Sequence, residues 1–273
     1  METLDLFPNA TCLDTIWLRL RERAGEVAKA EPLLSRLIGR TVLEQPGFSA
    51  ALAEVLSRRL ANDILPVEAL RDLVMEQGIG DAAEADLCAV VTRDPASDGP
   101  LTPFLYFKGY HALQWHRVAH GLYGEGRRDL AFLLQSRVAE VFGVDIHPAV
   151  PLGRRVLMDH ATGVVIGETS TIGDDVSILQ GVTLGGTGKE TGDRHPKIRN
   201  GVLLAAGSTV LGNIVVGENA KVGAGSVVLH DVPPCATVAG VPARIVAWCT
   251  GAAPGLSMDQ ALKPRAAARF SGS

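Results

Sequence analysis

Residues 198–228 read IRNGVLLAAGSTVLGNIVVGENAKVGAGSVV, and every sixth position is aliphatic: Ile198, Leu204, Val210, Val216, Val222 and Val228. A helix repeats every 3.6 residues and an ordinary strand every 2, so neither yields this spacing; three short strands per coil, each turning a corner, do. Upstream, Ile166, Ile172, Ile178 and Leu184 keep the same step. Two positions before each of these residues stands a small or aliphatic one (Ser170, Val176, Val182, Val202, Ser208, Ile214, Ala220, Ser226), which would point inward beside it. Glycine often follows, as at Gly167, Gly173, Gly185, Gly217 and Gly223, where a Cβ would crowd the next coil. An unbroken series from Ile198 to Val228 argues against a glycine-rich sandwich with chance spacing. The expected product is a left-handed parallel β-helix.

Working outward, the residues before about 142 change character. Leu13–Ala30, Pro32–Thr41, Phe48–Ala61, Pro66–Gln77, Asp81–Val91, Thr102–His120 and Arg127–Phe142 carry apolar residues at mixed three and four spacing, which predicts helices. Pro32, Pro66 and Pro103 suit first turns and Asp81 suits an N-cap, while RDPASDGP at 93–100 is a turn-rich break. The fold class is therefore α+β: a helical N-terminal domain over 1–143, a β-helix over 144–249, and a flexible tail over 250–273. The repeat fails twice. The step from Met158 to Ile166 is too long, and so is that from Leu184 to Ile198, where GGTGKETGDRHPK predicts an extruded loop at about 185–197. Insertions in a solenoid gather on the face that binds.

Composition bounds the function. The chain of 273 residues has 47% hydrophobic and 21% charged residues and a formal net charge of −4, giving no basis for nucleic-acid binding. No stretch is long and apolar enough to span a membrane, and the N-terminus lacks the basic run of a secretory signal, so a cytoplasmic protein is expected. Cys12, Cys88, Cys235 and Cys249 lie far apart in sequence. Reduced thiols are the expectation.

MDHATG (158–163) and DRHP (193–196) fall in the two breaks. A histidine beside an acid at a break has a better claim to chemistry than one in a regular coil. His160 suits a general base, and Asp145 in VDIHP, about one coil earlier, is a candidate to fix its tautomer, with Asp159 competing. Zinc hydratases of this repeat use three histidines, but His147, His160 and His195 lack their short His-x4-His pair, so no metal is expected. His111, His116 and His120 lie in a predicted helix and read as packing or surface residues. GGTGK at 185–189 is a weak phosphate signature, because no helix follows it.

At these residues the chain resembles the serine acetyltransferases. The likeness covers most of its length: VTRDP at 91–95, Phe107 to Gln114, VDIHP at 144–148, MDHATGVVIGET at 158–169, VSILQGVTLGGTGK at 176–189, GDRHPKI at 192–198 and AGVPARIV at 239–246. The resemblance implies trimers, usually paired, and transfer of the acetyl group of acetyl-CoA to L-serine, with His160 as base and Asp145 orienting it. It implies Asp94 and Asp159 as acids for the serine ammonium, Arg194 for its carboxylate and His195 as a second contact. Gly186, Thr187, Ala206 and Ala224 would line the coenzyme A groove, with Lys221 and Arg244 near phosphate. L-cysteine is implied as feedback inhibitor. Many members anchor in cysteine synthase through a terminal isoleucine; this chain ends Phe270-Ser271-Gly272-Ser273, which argues against that anchor. The rival readings are a hexapeptide acyltransferase for a sugar or antibiotic hydroxyl, and a silent scaffold. The zwitterion-binding set disfavours the first and the intact Asp-His and Asp-Arg-His motifs the second.

Overall fold

Each residue of the six-residue series lies in a strand. In the computed structural model, which describes residues 9–188, 191–249, 251 and 253–262 apart from the side chains of 9–11 and 14, the repeat is a three-faced prism of parallel strands. The first face holds β1 (Val144–Ile146), β3 (Val164–Ile166), β6 (Thr183–Gly185), β9 (Thr209–Leu211) and β12 (Val227–Val228). The second holds β4 (Thr171–Ile172), β7 (Lys197–Ile198) and β10 (Val215–Val216). The third holds β2 (Leu157–Met158), β5 (Ser177–Ile178), β8 (Leu203–Leu204), β11 (Lys221–Val222), β13 (Ala236–Gly240) and β14 (Ala243–Trp248). Every sixth-position aliphatic is buried, from Ile166 to Val228, and Ser170, Ser208 and Ser226 share the interior with them. This is the left-handed parallel β-helix expected from the period.

Register locates the breaks. Thr209 pairs with Val227, one regular coil away, whereas Val144 pairs with Val164 across the His160 break and Thr183 with Thr209 across the loop. Both insertions leave the ladder intact because they lie between strands. Part of the loop, Lys189 and Glu190, lies outside the described residues.

The preceding region is helical: α1 (Asn9–Ala30), α2 (Pro32–Ile38) running into a π-turn at Gly39–Leu43, α3 (Phe48–Leu60), α4 (Val67–Glu76), α5 (Gly80–Arg93), α6 (Leu101–Tyr106), α7 (Lys108–Gly124) and α8 (Arg128–Phe142). The single helix expected over Thr102–His120 is two, because Phe107 is extended (φ −79°, ψ 107°) and α7 starts afresh after it. Asp81 sits in the first turn of α5, and Ile79 takes the N-cap position instead. Arg117 of α7 and Gln114 bond the buried Asp86 of α5, which also accepts from the Val156 N–H at 2.9 Å, so both helices are fixed to the first coil.

The C-terminal end corrects two expectations. Cys235 and Cys249 are not separate thiols but a disulfide, with Cα atoms 5.0 Å apart. The reason is local: β13 and β14 form an antiparallel hairpin with Ala236 opposite Trp248, which returns the chain to its starting point. The tail is also folded where it is described. Short α9 (Pro254–Ser257) packs back on the prism, with Gly255 N–H bonded to Gly201 O at 2.9 Å and Ser177 Oγ donating to Gly255 O at 2.6 Å. Residues 263–273, including the Phe270–Ser273 terminus on which the cysteine synthase expectation turns, lie outside the described residues.

Two buried histidines give acid sensitivity a defined origin. Burial pulls His111 down to about 4 and His116 to about 3, while carbonyls of Phe104 and Val150 accept from their Nε2–H groups. Both folded values lie below the unfolded 6.5, so the unfolded chain binds protons that the folded chain refuses. Stability from these rings is fully present above that value and erodes as pH falls toward 4 and then 3. Between pH 7 and 5 each ring should cost about 2 kcal/mol. Urea midpoints at both pH values check this: His116→Gln should lower stability at pH 7 yet flatten the pH dependence by about one ring's share.

Candidate active site

A three-faced coil presents three corners; Asp159 and His160 occupy one of them and Arg194 and His195 another. The corner joining the third face to the first carries Asp159-His160-Ala161, with His160 at φ +54° and its side chain 73% exposed. Asp159 Oδ2 lies 3.7 Å from His160 Nε2. Burial pushes the Asp159 carboxyl up; His160 opposes that shift and the nearby Asp94 carboxylate reinforces it. Asp94 reaches the corner as the C-cap residue of α5, one oxygen accepting the Ala96 N–H at 2.8 Å.

Ala206 and Ala224 stack on this same corner in later coils. The corners are rungs of one ladder: Gly181 N–H bonds Thr162 O, Gly207 N–H bonds Gln180 O and Gly225 N–H bonds Ala206 O, at 2.8–2.9 Å. With strands about 4.8 Å apart, the edge rising from His160 passes Gln180 and then becomes a low track of small residues, Ala205-Ala206-Gly207 and Gly223-Ala224-Gly225.

The corner joining the first face to the second carries Arg194 and His195, anchored on Thr169. The Thr169 hydroxyl accepts the backbone N–H groups of both Arg194 and His195 at 3.0 Å. Its own proton then goes to His195 Nδ1 at 2.9 Å, which also faces the Thr169 N–H at 3.2 Å. Nδ1 is thereby an acceptor, so the proton of the neutral ring sits on Nε2, an outward donor. Burial, with Arg194 and Lys197 adding to it, lowers the His195 pKa and favours that neutral form. Arg194 Nη2 pairs with Glu168 at 2.8 Å. Gly186 lies against Arg194 and His195, and exposed Thr187 follows it.

No hydrogen bond or ion pair among the described residues joins the two corners, which one side of a coil, roughly 20 Å, separates. Asp145 stands between them on β1, its carboxylate accepting from Gln135 Nε2 at 2.6 Å and sharing no bond with His160 within the chain. Lys221 departs from expectation: it is buried, and its ammonium is taken by the carbonyls of Asp259 and Ala261 at 2.8 and 2.9 Å, because the tail folds over it. Arg244 stays exposed on β14. Sequence reasoning passed over Glu168, Thr169 and Gln135; the Glu168-Thr169 pair directly follows the turn glycine Gly167, which was the available signal. Among the described residues no three His, Cys, Asp or Glu side chains gather as metal ligands.

Coils of this kind, with polar breaks at their corners, are those of the hexapeptide-repeat transferases. Residues 195–230 match the family model described as "Bacterial transferase hexapeptide (six repeats)", and residues 16–115 match "Serine acetyltransferase, N-terminal". The chain is 51% identical over 253 residues to the serine acetyltransferase of Salmonella typhimurium, covering 91% of this chain and 93% of that one. Among solved structures it is similar to a serine acetyltransferase in complex with cysteine (TM-score 0.89, 49% identity, 91% of this chain and 99% of that one). A second is the Brucella abortus serine acetyltransferase in complex with coenzyme A (TM-score 0.85, 46% identity, 92% and 100%). The chain belongs to the serine acetyltransferase family. It is an acyltransferase that uses acetyl-CoA.

Gly167 allows the second corner its shape. A Cβ built there would lie 2.1 Å from His195 Nε2, so Gly167→Ala should displace the imidazole and leave the ladder standing. Acetyl transfer should fall by about tenfold or more. Paired activity and circular-dichroism measurements check this, with an unchanged far-UV spectrum expected.

Proposed function

We propose that this chain acetylates L-serine by direct attack of the serine hydroxyl on acetyl-CoA in a ternary complex, within a trimer whose neighbouring subunits supply the two corners. The observation that carries the reading is the grouping of His160 with Asp159 and Asp94 at the foot of the alanine track. Neutral His160 takes the hydroxyl proton as the oxygen attacks the thioester carbonyl; the thiolate leaves and receives that proton back. No acetyl-enzyme is required. Asp94 and Asp159 face the ammonium. Arg194, exchanging Glu168 for substrate, pairs with the carboxylate as a planar fork, and His195 donates through Nε2.

Subunit assembly is supported by what one chain keeps apart: the ammonium-binding acids lie at one corner and the carboxylate-binding arginine at another, a separation too great for one serine to span. Asp145 lies on the face leading to the second corner, where it and Arg194 both act on the His147 ring. A neighbour presenting that corner to His160 therefore brings Asp145 with it to orient the base. The acetyl-CoA arm follows Ala206 and Ala224 on one side and Gly186 and Thr187 on the other, with Arg244 rather than the covered Lys221 left for phosphate. Pairing of trimers through the helical region and a cytoplasmic location fit the same plan; among the described residues no helix is long and apolar enough to cross a membrane. Cysteine, which presents the same ammonium and carboxylate as serine, would occupy the same acids and Arg194 as an inhibitor.

Thiol release from acetyl-CoA with L-serine, a panel of sugars, or no acceptor tests this reading. Release should require serine and fall about 10²–10⁴-fold in His160→Ala. Serine-independent release, an undiminished variant, or a stoichiometric acetyl-enzyme burst would overturn it. Co-expressing His160→Ala with Arg194→Ala chains should restore part of the activity, since mixed trimers hold some sites with both corners intact.

A further inference from the structure

We infer that Arg93 is a positioning residue for the serine ammonium, and that the folded C-terminal segment supports it through Ser177; this rests on the reading of Asp94 given above. Arg93 closes α5 and Asp94 follows it, so whatever holds the guanidinium holds the backbone that presents the acid. The Arg93 side chain is 3% exposed. Its Nη2 donates to Asp175 Oδ1 at 2.8 Å and its Nη1 to Ser177 Oγ at 3.3 Å, both on the prism.

The prism side of this contact is itself braced. Asp175 is a corner residue at φ +59°, and Arg155 grips its carboxylate from the other side with Nε at 2.8 Å and Nη2 at 2.7 Å. Ser177 donates its own proton to Gly255 O at 2.6 Å. Gly255 sits so close that a Cβ there would lie 2.4 Å from Asp175 O. An unbroken series of bonds thus runs from α9 through Ser177 and Arg93 to the residue beside Asp94.

A buried guanidinium is a costly way to fill space, and an apolar side chain of similar volume would pack as well. What the fork adds is direction, because two donors at fixed angles fix the end of the helix in rotation as well as distance. Asp86 pins α5 two turns earlier through Arg117 and Val156, and in the last turn it is Arg93 whose side-chain bonds reach the prism. One Asp94 oxygen is already bonded to Ala96 N–H, so small rotations of that turn re-aim the other across the Asp159 side of the site.

Steady-state kinetics of Arg93→Lys, Asp175→Asn and Ser177→Ala, each varying serine and acetyl-CoA separately, test the inference. Arg93→Lys and Asp175→Asn should raise the serine KM about tenfold and Ser177→Ala about threefold, with the acetyl-CoA KM and kcat within about twofold of wild type. Equal changes in both KM values, or a lowered Tm with the serine KM unmoved, would mean a merely structural contact and overturn the inference. Asp94→Asn separates the two levels. If it leaves the serine KM unchanged, the Asp94 reading fails and the inference with it; if it raises that KM while Arg93→Lys does not, the inference alone fails.

Discussion

The main-chain bond between coils is the constraint on which everything else rests. Strands of two or three residues have no independent stability, and each is held by main-chain bonds to a neighbouring coil, as where Val165 donates to Val182, Thr183 to Ser208 and Thr209 to Ser226. A residue inserted within a strand would turn the following side chains to the wrong face and break the ladder above and below. Extra residues can enter only at corners. The two departures from the period are there, and the residues proposed for the chemistry came with them.

This also explains why the proposed site is divided. A corner can hold a few outward polar side chains but cannot fold over itself, so His160 and Arg194-His195 occupy separate edges. Each edge is stiffened by its own local means. Asp159 stands beside His160 and Asp94 reaches Asp159 from α5, while Thr169 uses its single hydroxyl to accept twice and donate once, setting both backbone and imidazole at the second edge. The helical region takes part directly, since α5 delivers Asp94 and α8 holds Asp145 through Gln135.

Much of this was legible in the sequence because hexapeptide spacing reports burial one residue at a time: Ile198 through Val228 are all inside, as their period requires. His160, Asp159, Arg194 and His195 stand out by the same pattern in its failure. What sequence could not supply were contacts between distant segments. Nothing local distinguishes Lys221 as a residue capped by tail carbonyls, since the folding of residues 253–262 onto the prism depends on Gly255 fitting against Asp175 and Gly201. Cys235 and Cys249 looked unrelated because the hexapeptide rule stops before β14, and an antiparallel return carries no six-residue signal. Phe107 divided a helix whose apolar pattern runs straight through it.

The β13–β14 hairpin has a consequence for how molecules of this protein meet one another. A parallel coil stack is open at its ends, and the last coil offers unpaired N–H and C=O groups in the same array that joins every coil to the next. Two such ends in contact would continue the ladder from one molecule into another, and a repeat protein without a stop would grow into fibres. Here the third face, which β13 continues beyond the final coil, is turned back on itself by β14, with the disulfide fastening the hairpin's open end, while α7 and α8 lie over the first coil. The molecule is kept finite by an antiparallel strand in an otherwise parallel fold.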